Sequence, residues 1–205
     1  DTFVVGLPTD TIGLEPAQIS SRHTANIMKH IFGQLYSVSE SGSIDPNLAE
    51  SYKISDDGKE YTFTLKEGLT CHDGEALTAE DAAYSFNRVA DEDLAFTGNS
   101  AGFVYKSIDF IEARADSELD VTIVLGGPNH IALGLIAEIY VHCKGSYENM
   151  TKEEAATNPV GSGPYEFVKW DKGSQIVMKK AANPPIPTNF ENIIWRVIPE
   201  ASTRT

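Results

Sequence analysis

Alternating apolar and polar residues predict three β-hairpins along the chain. In the first, Tyr61 and Phe63 alternate with polar neighbours, which is the period of a half-buried strand. An Asp-Gly pair ending at Gly58 favours a tight turn just before them, because both residue types tolerate a positive φ. The same pattern predicts a second hairpin over residues 107–125 and a third over residues 165–180. These segments are expected to form antiparallel strand pairs.

A three-to-four spacing of apolar residues predicts helices between the hairpins. The first helix is predicted from His23 to Tyr36, with Ile27 and Ile31 on its apolar face. The second is predicted from Ala79 to about Ala90, directly after a capping Thr. Thr151, with a Glu three residues later, has the pattern of a capping box and predicts another helix.

Two segments show neither pattern. Residues 37–47 hold Ser, Gly and Pro and are predicted to be a linker that crosses between subdomains. Residues 91–102 are predicted to be a polar loop.

The charge balance excludes two kinds of partner. The chain has 30 acidic and 16 basic residues, a formal net charge of −14. Binding to nucleic acid phosphates or to anionic lipid needs clustered Lys and Arg, so neither partner is expected. No apolar run approaches the roughly 20 residues that span a bilayer, so direct membrane insertion is not expected either.

The residues that could carry chemistry do not assemble into a catalytic or metal site. Ser162 between two glycines does not fit a nucleophile elbow, which needs Gly two residues away on either side. His23 and His30 could share a helix face, but they lack a third metal ligand at suitable spacing. The sequence therefore predicts no catalytic residue, no metal site and no cofactor.

The two cysteines, Cys71 and Cys143, have two possible states. They could pair in an oxidising compartment, or they could be buried as small hydrophobic residues. Their spacing does not decide between these, and we take the unpaired state as the expectation.

Five motifs in order resemble those of bacterial extracytoplasmic solute-binding proteins of the peptide and nickel ABC-transporter class. They are Ile44–Tyr52, Ser55–Gly68, Cys71–Asp81, Asn158–Tyr165 and Arg196–Arg204. Cys71 and Ala76 stand where this family usually has Phe and Pro. Pro184-Pro185 replaces a usual Tyr-Trp pair, so the loop there is expected to differ.

The resemblance implies a mixed α/β fold, the first lobe of a type II periplasmic binding protein. Residues 1–42 and 160–205 would form its main subdomain, and residues 43–159 an inserted subdomain. The helix that starts near Pro199 has too few residues left to be stable, so we expect a fragment of a longer polypeptide whose second lobe is missing.

The resemblance also implies a function. The protein would be the substrate-binding component of an ABC importer, would capture a small peptide or related solute between two lobes, and would deliver it to the membrane permease. Such a protein is periplasmic or otherwise extracytoplasmic, either free or lipid-anchored, and is not an enzyme. The alternative is a solute-sensing domain of a regulatory protein with the same fold. A hydrolase would need a nucleophile and a base that the sequence does not supply.

The candidate ligand-binding residues come from two loops. Open α/β folds place ligands at the carboxyl ends of strands, and the resemblance brings a polar loop of the inserted subdomain toward the same cleft. The candidates are Thr9, Asp10 and Thr11 after the first strand, and Asn99, Ser100 and Phe103 in the polar loop. An exposed loop without a ligand role remains the alternative for each residue.

Overall fold

The computed structural model describes residues 1–39 and 41–203 and has the mixed α/β fold that the sequence predicts. Strands β1 to β12 are, in chain order, Thr2–Leu7, Gly33–Gln34, Tyr36–Val38, Ile44–Pro46, Ala49–Ile54, Glu60–Leu65, Phe110–Ala115, Asp120–Leu125, Tyr140–Val141, Tyr165–Asp171, Gln175–Lys180 and Asn192–Val197. Helices α1 to α6 are Arg22–Ile31, Ala79–Ala90, Tyr105–Ile108, Ala132–Ile136, Lys144–Tyr147 and Lys152–Thr157. Among these described residues, no helix has the length and apolar character of a membrane span.

The first large sheet joins the start of the chain to its end. Its strand order is β1-β12-β11-β10, with β1 parallel to β12 and the other neighbours antiparallel. The third predicted hairpin supplies β10 and β11. Alternate residues such as Met178 and Trp195 face the core, where they join Ile27 and Ile31 of α1. The predicted apolar face of the first helix is thus buried against this sheet.

The second large sheet contains the other two predicted hairpins. Its order is β5-β6-β8-β7, antiparallel throughout. Tyr61, Phe63 and Leu65 alternate inward and are buried, as their period of two predicts. The core on that face includes Phe86 of α2. The opposite face is polar, and the Oγ1 atoms of Thr62 and Thr122 lie 2.7 Å apart on it.

The first predicted helix ends earlier than its apolar pattern indicates. It was expected to reach Tyr36, but α1 ends at Ile31 and the chain continues as the short strands β2 and β3. The reason is tertiary, since β2 pairs with β9. A Cβ atom at Gly33 would lie 2.7 Å from the side chain of Leu48, which would have to move to admit a larger residue.

Two predicted irregular segments are partly regular. The predicted linker at 37–47 contains the paired strands β3 and β4, although Glu40 between them lies outside the described residues. The predicted loop at 91–102 ends in a single turn of π-helix, Ser100–Val104, which continues directly into α3. Neither segment has the apolar periodicity that would reveal this.

The expectation that Cys71 and Cys143 are unpaired is wrong. They form a disulfide across a sequence separation of 72 residues, with their Cα atoms 6.0 Å apart. Both cysteines are buried. The loop after β6 folds back through a bridge between Thr70 and Ala76, and this turn helps to bring Cys71 to the end of β9.

The segment Gly161–Pro164 passes directly over the end of α1. A Cβ atom on Gly161 would overlap the carbonyl group of Ile31, and one on Gly163 would lie 2.7 Å from the carbonyl oxygen of His30. Between the glycines, the buried hydroxyl of Ser162 accepts a hydrogen bond from the Gly33 amide and donates one to the Val141 carbonyl, both at 3.2 Å. The motif is therefore a close backbone contact that only glycine permits.

His72 holds the same segment from the other side. Its Nε2 lies 2.9 Å from the Gly163 carbonyl, and its Nδ1 lies 3.3 Å from the Gly161 amide. The carbonyl can only accept and the amide can only donate, so the imidazole is neutral with its proton on Nε2. Burial, which lowers the pKa of His72, favours the same state. The residue is structural, in agreement with the turn predicted around it.

Two apolar clusters fill the interior. One lies almost entirely between residues 35 and 143, and the other joins the β1 sheet to α1. The second cluster also includes Tyr140, Tyr147 and Ala155. The division into residues 1–42 with 160–205 and an insertion of 43–159 stays a prediction, because the insertion contributes to both clusters.

Removing the disulfide is expected to destabilise the protein. We expect the Cys71→Ala/Cys143→Ala double variant to lose about 2–4 kcal/mol of unfolding free energy, because the bridge restricts the unfolded chain. Urea titration of both proteins measures this difference. Thiol titration of the denatured, unreduced wild type should find no free thiol, and two free thiols would contradict the pairing.

The close contact of Gly161 with α1 predicts that adding a single methyl group at this position lowers the stability of the protein. Gly161→Ala should lower the unfolding free energy by about 1–3 kcal/mol or more, because the backbone must move to admit the new Cβ atom. Gly127→Ala is the matched control, since a Cβ atom there meets nothing within 4 Å. Equal midpoints for the two variants in urea would show that the close contact is absent.

Candidate functional site

A cavity of about 550 Å³ opens at the carboxyl end of β1. The loop after β1, the start of α1, the segment around Phe96 and helix α6 surround it. Its lining residues are Thr9–Gly13, Glu15, Gln18–Ser21, Thr24, Phe96, Thr97, Lys152, Glu153 and Ala156. Helix α6 is fixed there by its capping box and by the Leu14 amide, which donates to the Ala156 carbonyl at 2.8 Å.

Asp10 lines this cavity, but its carboxylate is used within the protein. The indole nitrogen of Trp170 lies 3.1 Å from both carboxylate oxygens, and the Gly173 amide donates to Oδ2 at 2.6 Å. The amide of Thr11 donates to Oδ1 at 2.9 Å. Asp10 therefore ties the β1 loop to the turn between β10 and β11.

The two threonines beside Asp10 differ in how free they are. The hydroxyl of Thr11 lies 2.9 Å from that of Thr24 and donates to the Gly13 carbonyl at 2.9 Å. Thr9 is exposed, and its hydroxyl donates only to the adjacent Asp10 carbonyl at 3.0 Å. Thr9 thus keeps acceptor capacity toward the cavity.

The structure does not bring Asn99, Ser100 and Phe103 into this cavity. Ser100 and Phe103 lie in the π-helical turn and Asn99 directly precedes it, where its backbone amide donates to the Ile19 carbonyl at 2.8 Å. Ser100 is buried, whereas the side chain of Phe103 is 57% exposed. The cavity is instead lined by Phe96 and Thr97 of the same loop.

Several lining residues were not among the predicted candidates. Oε1 of Gln18 accepts from the amide and the hydroxyl of Thr97, both at 3.3 Å, and so joins the β1 loop to the segment after α2. Lys152 and Glu153 reach the cavity on α6. The capping pattern at Thr151 predicted this helix, but no sequence signal places it against the β1 loop.

A buried charged cluster stands behind the cavity wall. The guanidinium of Arg88 on α2 donates two hydrogen bonds of 2.9 Å to the two carboxylate oxygens of Glu15. Oε1 of Glu15 also accepts from the Ala17 amide at 3.0 Å, and Nε2 of His142 lies 3.4 Å from it. Phe96 and Tyr147 present their rings to Arg88, with centroids 4.9 and 5.3 Å from the guanidinium carbon.

The ionisation of this cluster follows from its burial and its contacts. Burial alone would raise the pKa of Glu15, but His142 and Arg88 outweigh it and lower the pKa to about 2. Burial lowers the pKa of His142, although Glu15 opposes that effect. At neutral pH the cluster is therefore a carboxylate paired with a guanidinium beside a neutral imidazole.

The charged groups do not form a metal centre. Within residues 1–39 and 41–203, no group of three or more His, Cys, Asp or Glu side chains is arranged to hold a metal ion. The wall combines hydroxyl, amide and apolar groups, which is a surface for noncovalent binding of a small molecule.

The chain thus combines one mixed sheet and one antiparallel sheet with a cavity at the carboxyl end of its first strand. Residues 43–205 match the family model for bacterial extracellular solute-binding proteins, family 5 Middle. The chain belongs to this family. Its members are solute-binding transport proteins of ABC importers, act outside the cytoplasm and are not enzymes.

Individual relatives agree with this assignment. Protein XP55 of Streptomyces lividans is 34% identical over 155 residues, which cover 75% of this chain and 27% of that protein. The glutathione-binding protein GsiB of Escherichia coli O1:K1 / APEC is 27% identical over 98% of this chain and 39% of its own. The periplasmic binding protein DppA of Helicobacter pylori, solved in complex with the peptide STSA, aligns with this chain with a TM-score of 0.88 and 25% sequence identity. The alignment covers all of this chain and 44% of DppA. The chain spans less than half the length of each.

The buried imidazole makes stability depend on pH. The unfolded chain takes up a proton on His142 below its ordinary pKa of 6.5, whereas the folded protein resists protonation there. Stability is thus lost as the pH falls below about 6.5, by up to about 1.4 kcal/mol per pH unit for each such histidine. His30 and His72, whose pKa values burial also lowers, contribute with the same sign.

His142→Asn should therefore lose less stability on acidification than the wild type does. The exposed His23→Asn is the control and should keep the wild-type slope. Urea titrations across this pH range measure both slopes. A slope in His142→Asn as steep as that of the wild type would contradict a neutral buried imidazole.

Proposed function

We propose that this chain is part of the substrate-binding component of an ABC importer that captures small peptides or a related solute. The observation that carries the proposal is the cavity at the carboxyl end of β1, in a chain of this solute-binding family. Relatives named for glutathione and crystallised with a peptide support a peptide-like solute.

The solute would be enclosed between this lobe and a second one. The chain covers 39% of GsiB and 44% of DppA, so most of each relative lies outside the matched region. In the proposed mechanism, the solute contacts both lobes and thereby favours the closed arrangement that the membrane permease accepts. This chain alone would hold a solute weakly or not at all.

The contribution of this lobe would include neutral hydrogen-bonding groups. Thr9 and Gln18 keep free capacity, Gln18 through its amide nitrogen. We propose Thr9 as a direct ligand contact and Asp10 and Thr11 as residues that hold its loop. Asn99, Ser100 and Phe103 would act through the position of Phe96 and Thr97, because they lie outside the cavity.

The disulfide supports an extracytoplasmic location. Disulfides persist in oxidising compartments and are rare in the bacterial cytosol. The protein would therefore work in the periplasm or at the outer cell surface, either free or lipid-anchored.

The function is tested by filling the cavity. Ser20 is exposed at its rim, so Ser20→Trp in the full-length polypeptide should weaken peptide binding by roughly tenfold or more. Ser51→Trp, on the exposed edge strand β5 and outside the cavity lining, is the matched control and should bind as the wild type does. Calorimetry with defined dipeptides to pentapeptides, including glutathione, gives both affinities.

Two results would count against the proposal. One is the absence of binding to any of these peptides by the wild-type full-length protein. The other is equal binding by the wild type and Ser20→Trp, which would place the solute elsewhere. The isolated 205 residues serve as a further check, because tight binding by them would contradict the need for a second lobe.

A further inference from the structure

Most charged groups on the cavity wall are already engaged by the protein. The carboxylate of Asp10 accepts hydrogen bonds from Trp170, Gly173 and Thr11. The carboxylate of Glu15 is paired with the guanidinium of Arg88. A solute that approached either group would have to displace bonds that hold the fold together.

Among the described residues of the wall, the one cation, Lys152, is engaged as well. Nζ of Lys152 donates a hydrogen bond to the Leu94 carbonyl and lies 5.3 Å from the centroid of the Phe96 ring. Both contacts are to the segment that follows α2. The ammonium group is thereby directed at the protein, and a solute anion would gain little from it.

Glu153 is the exception. It lines the cavity and is exposed, and within residues 1–39 and 41–203 its carboxylate has no hydrogen bond and no ion pair. It lies in the first turn of α6. A carboxylate without a partner at the cavity is free to pair with a positive charge on a solute.

The apolar part of the wall adds a second requirement. Ile12 is 91% exposed at the same cavity, and Ile19 and Phe96 also line it. Covering an exposed apolar side chain with an apolar part of a solute is favourable, because it removes that surface from water. The cavity thus presents one free negative charge together with apolar surface.

We propose that the solute carries a cationic amine or guanidinium that pairs with Glu153, with an apolar group next to it that packs on Ile12. This inference rests on the proposed function and narrows its substrate class. A zwitterionic or basic apolar peptide fits this chemistry, whereas an anionic solute without a cation does not.

The test compares charge variants of the full-length polypeptide on matched peptides. The probes are tripeptides with Lys, Met or Glu at one position, each with a free and with an acetylated amino terminus. The wild type should bind the cationic member of a pair roughly 1.5- to fivefold more tightly than its neutral counterpart, the range for a solvent-accessible ion pair. Glu153→Gln should abolish that preference, and Glu153→Lys should reverse it toward the Glu peptide.

The control separates a direct contact from the general negative charge of the protein. Glu118 is exposed in the turn between β7 and β8, away from the cavity, and Glu118→Gln makes the same change in net charge. It should keep the wild-type preference. An equal loss in both variants would assign the preference to the overall field and overturn the role of Glu153.

The remaining outcomes are also decisive. If the wild type binds peptides without a cationic preference, or keeps its preference in Glu153→Gln, the inference fails while the proposed function stands. If the wild type binds none of the peptides, the proposed function fails and the inference fails with it.

Discussion

The buried ion pair between Glu15 and Arg88 is the interaction on which the rest of the structure depends. Glu15 belongs to the loop that forms the cavity wall, and Arg88 belongs to the helix that covers the β5-β6-β8-β7 sheet. Both side chains are at most 5% exposed. The position of the cavity relative to that sheet is therefore fixed by two short charged hydrogen bonds.

Such a pair specifies one arrangement of the loop and the helix more than it adds to the net stability of the protein. Removing two ions from water costs several kcal/mol each, and the attraction between them returns that cost only when the geometry is good and the remaining polar atoms are satisfied. Here the geometry is bidentate, the Ala17 amide supplies a further donor, and two aromatic rings face the guanidinium. Few alternative arrangements of loop and helix would satisfy the same groups, so the pair specifies one of them.

The sequence predicts the elements that depend on a local pattern, and it does not predict those that depend on tertiary contacts. The hairpins and α2 could be predicted, because a period of two or of 3.6 residues directly reports which face is buried. The end of α1 could not, because Phe32 and Leu35 continue the helical spacing while strand pairing determines their conformation. The disulfide and the pairing of Gln18 with Thr97 join residues far apart in the chain, so no local pattern contains them.

The candidate site shows the same division. The position of the β1 loop followed from a general rule about strand ends, and the structure places Thr9, Asp10 and Thr11 at a cavity. Glu153 comes from a helix whose capping box was visible in the sequence but whose neighbours were not.

The glycines of the Gly161–Pro164 segment have a consequence for how the protein moves. A glycine-rich stretch is commonly taken as a flexible joint, yet these glycines are packed against the backbone of α1, and Ser162 and His72 bond the segment on both sides. Bending there would leave buried amide and carbonyl groups without partners. The Gly161–Pro164 segment is therefore rigid. Any large rearrangement of the protein must take place about other segments.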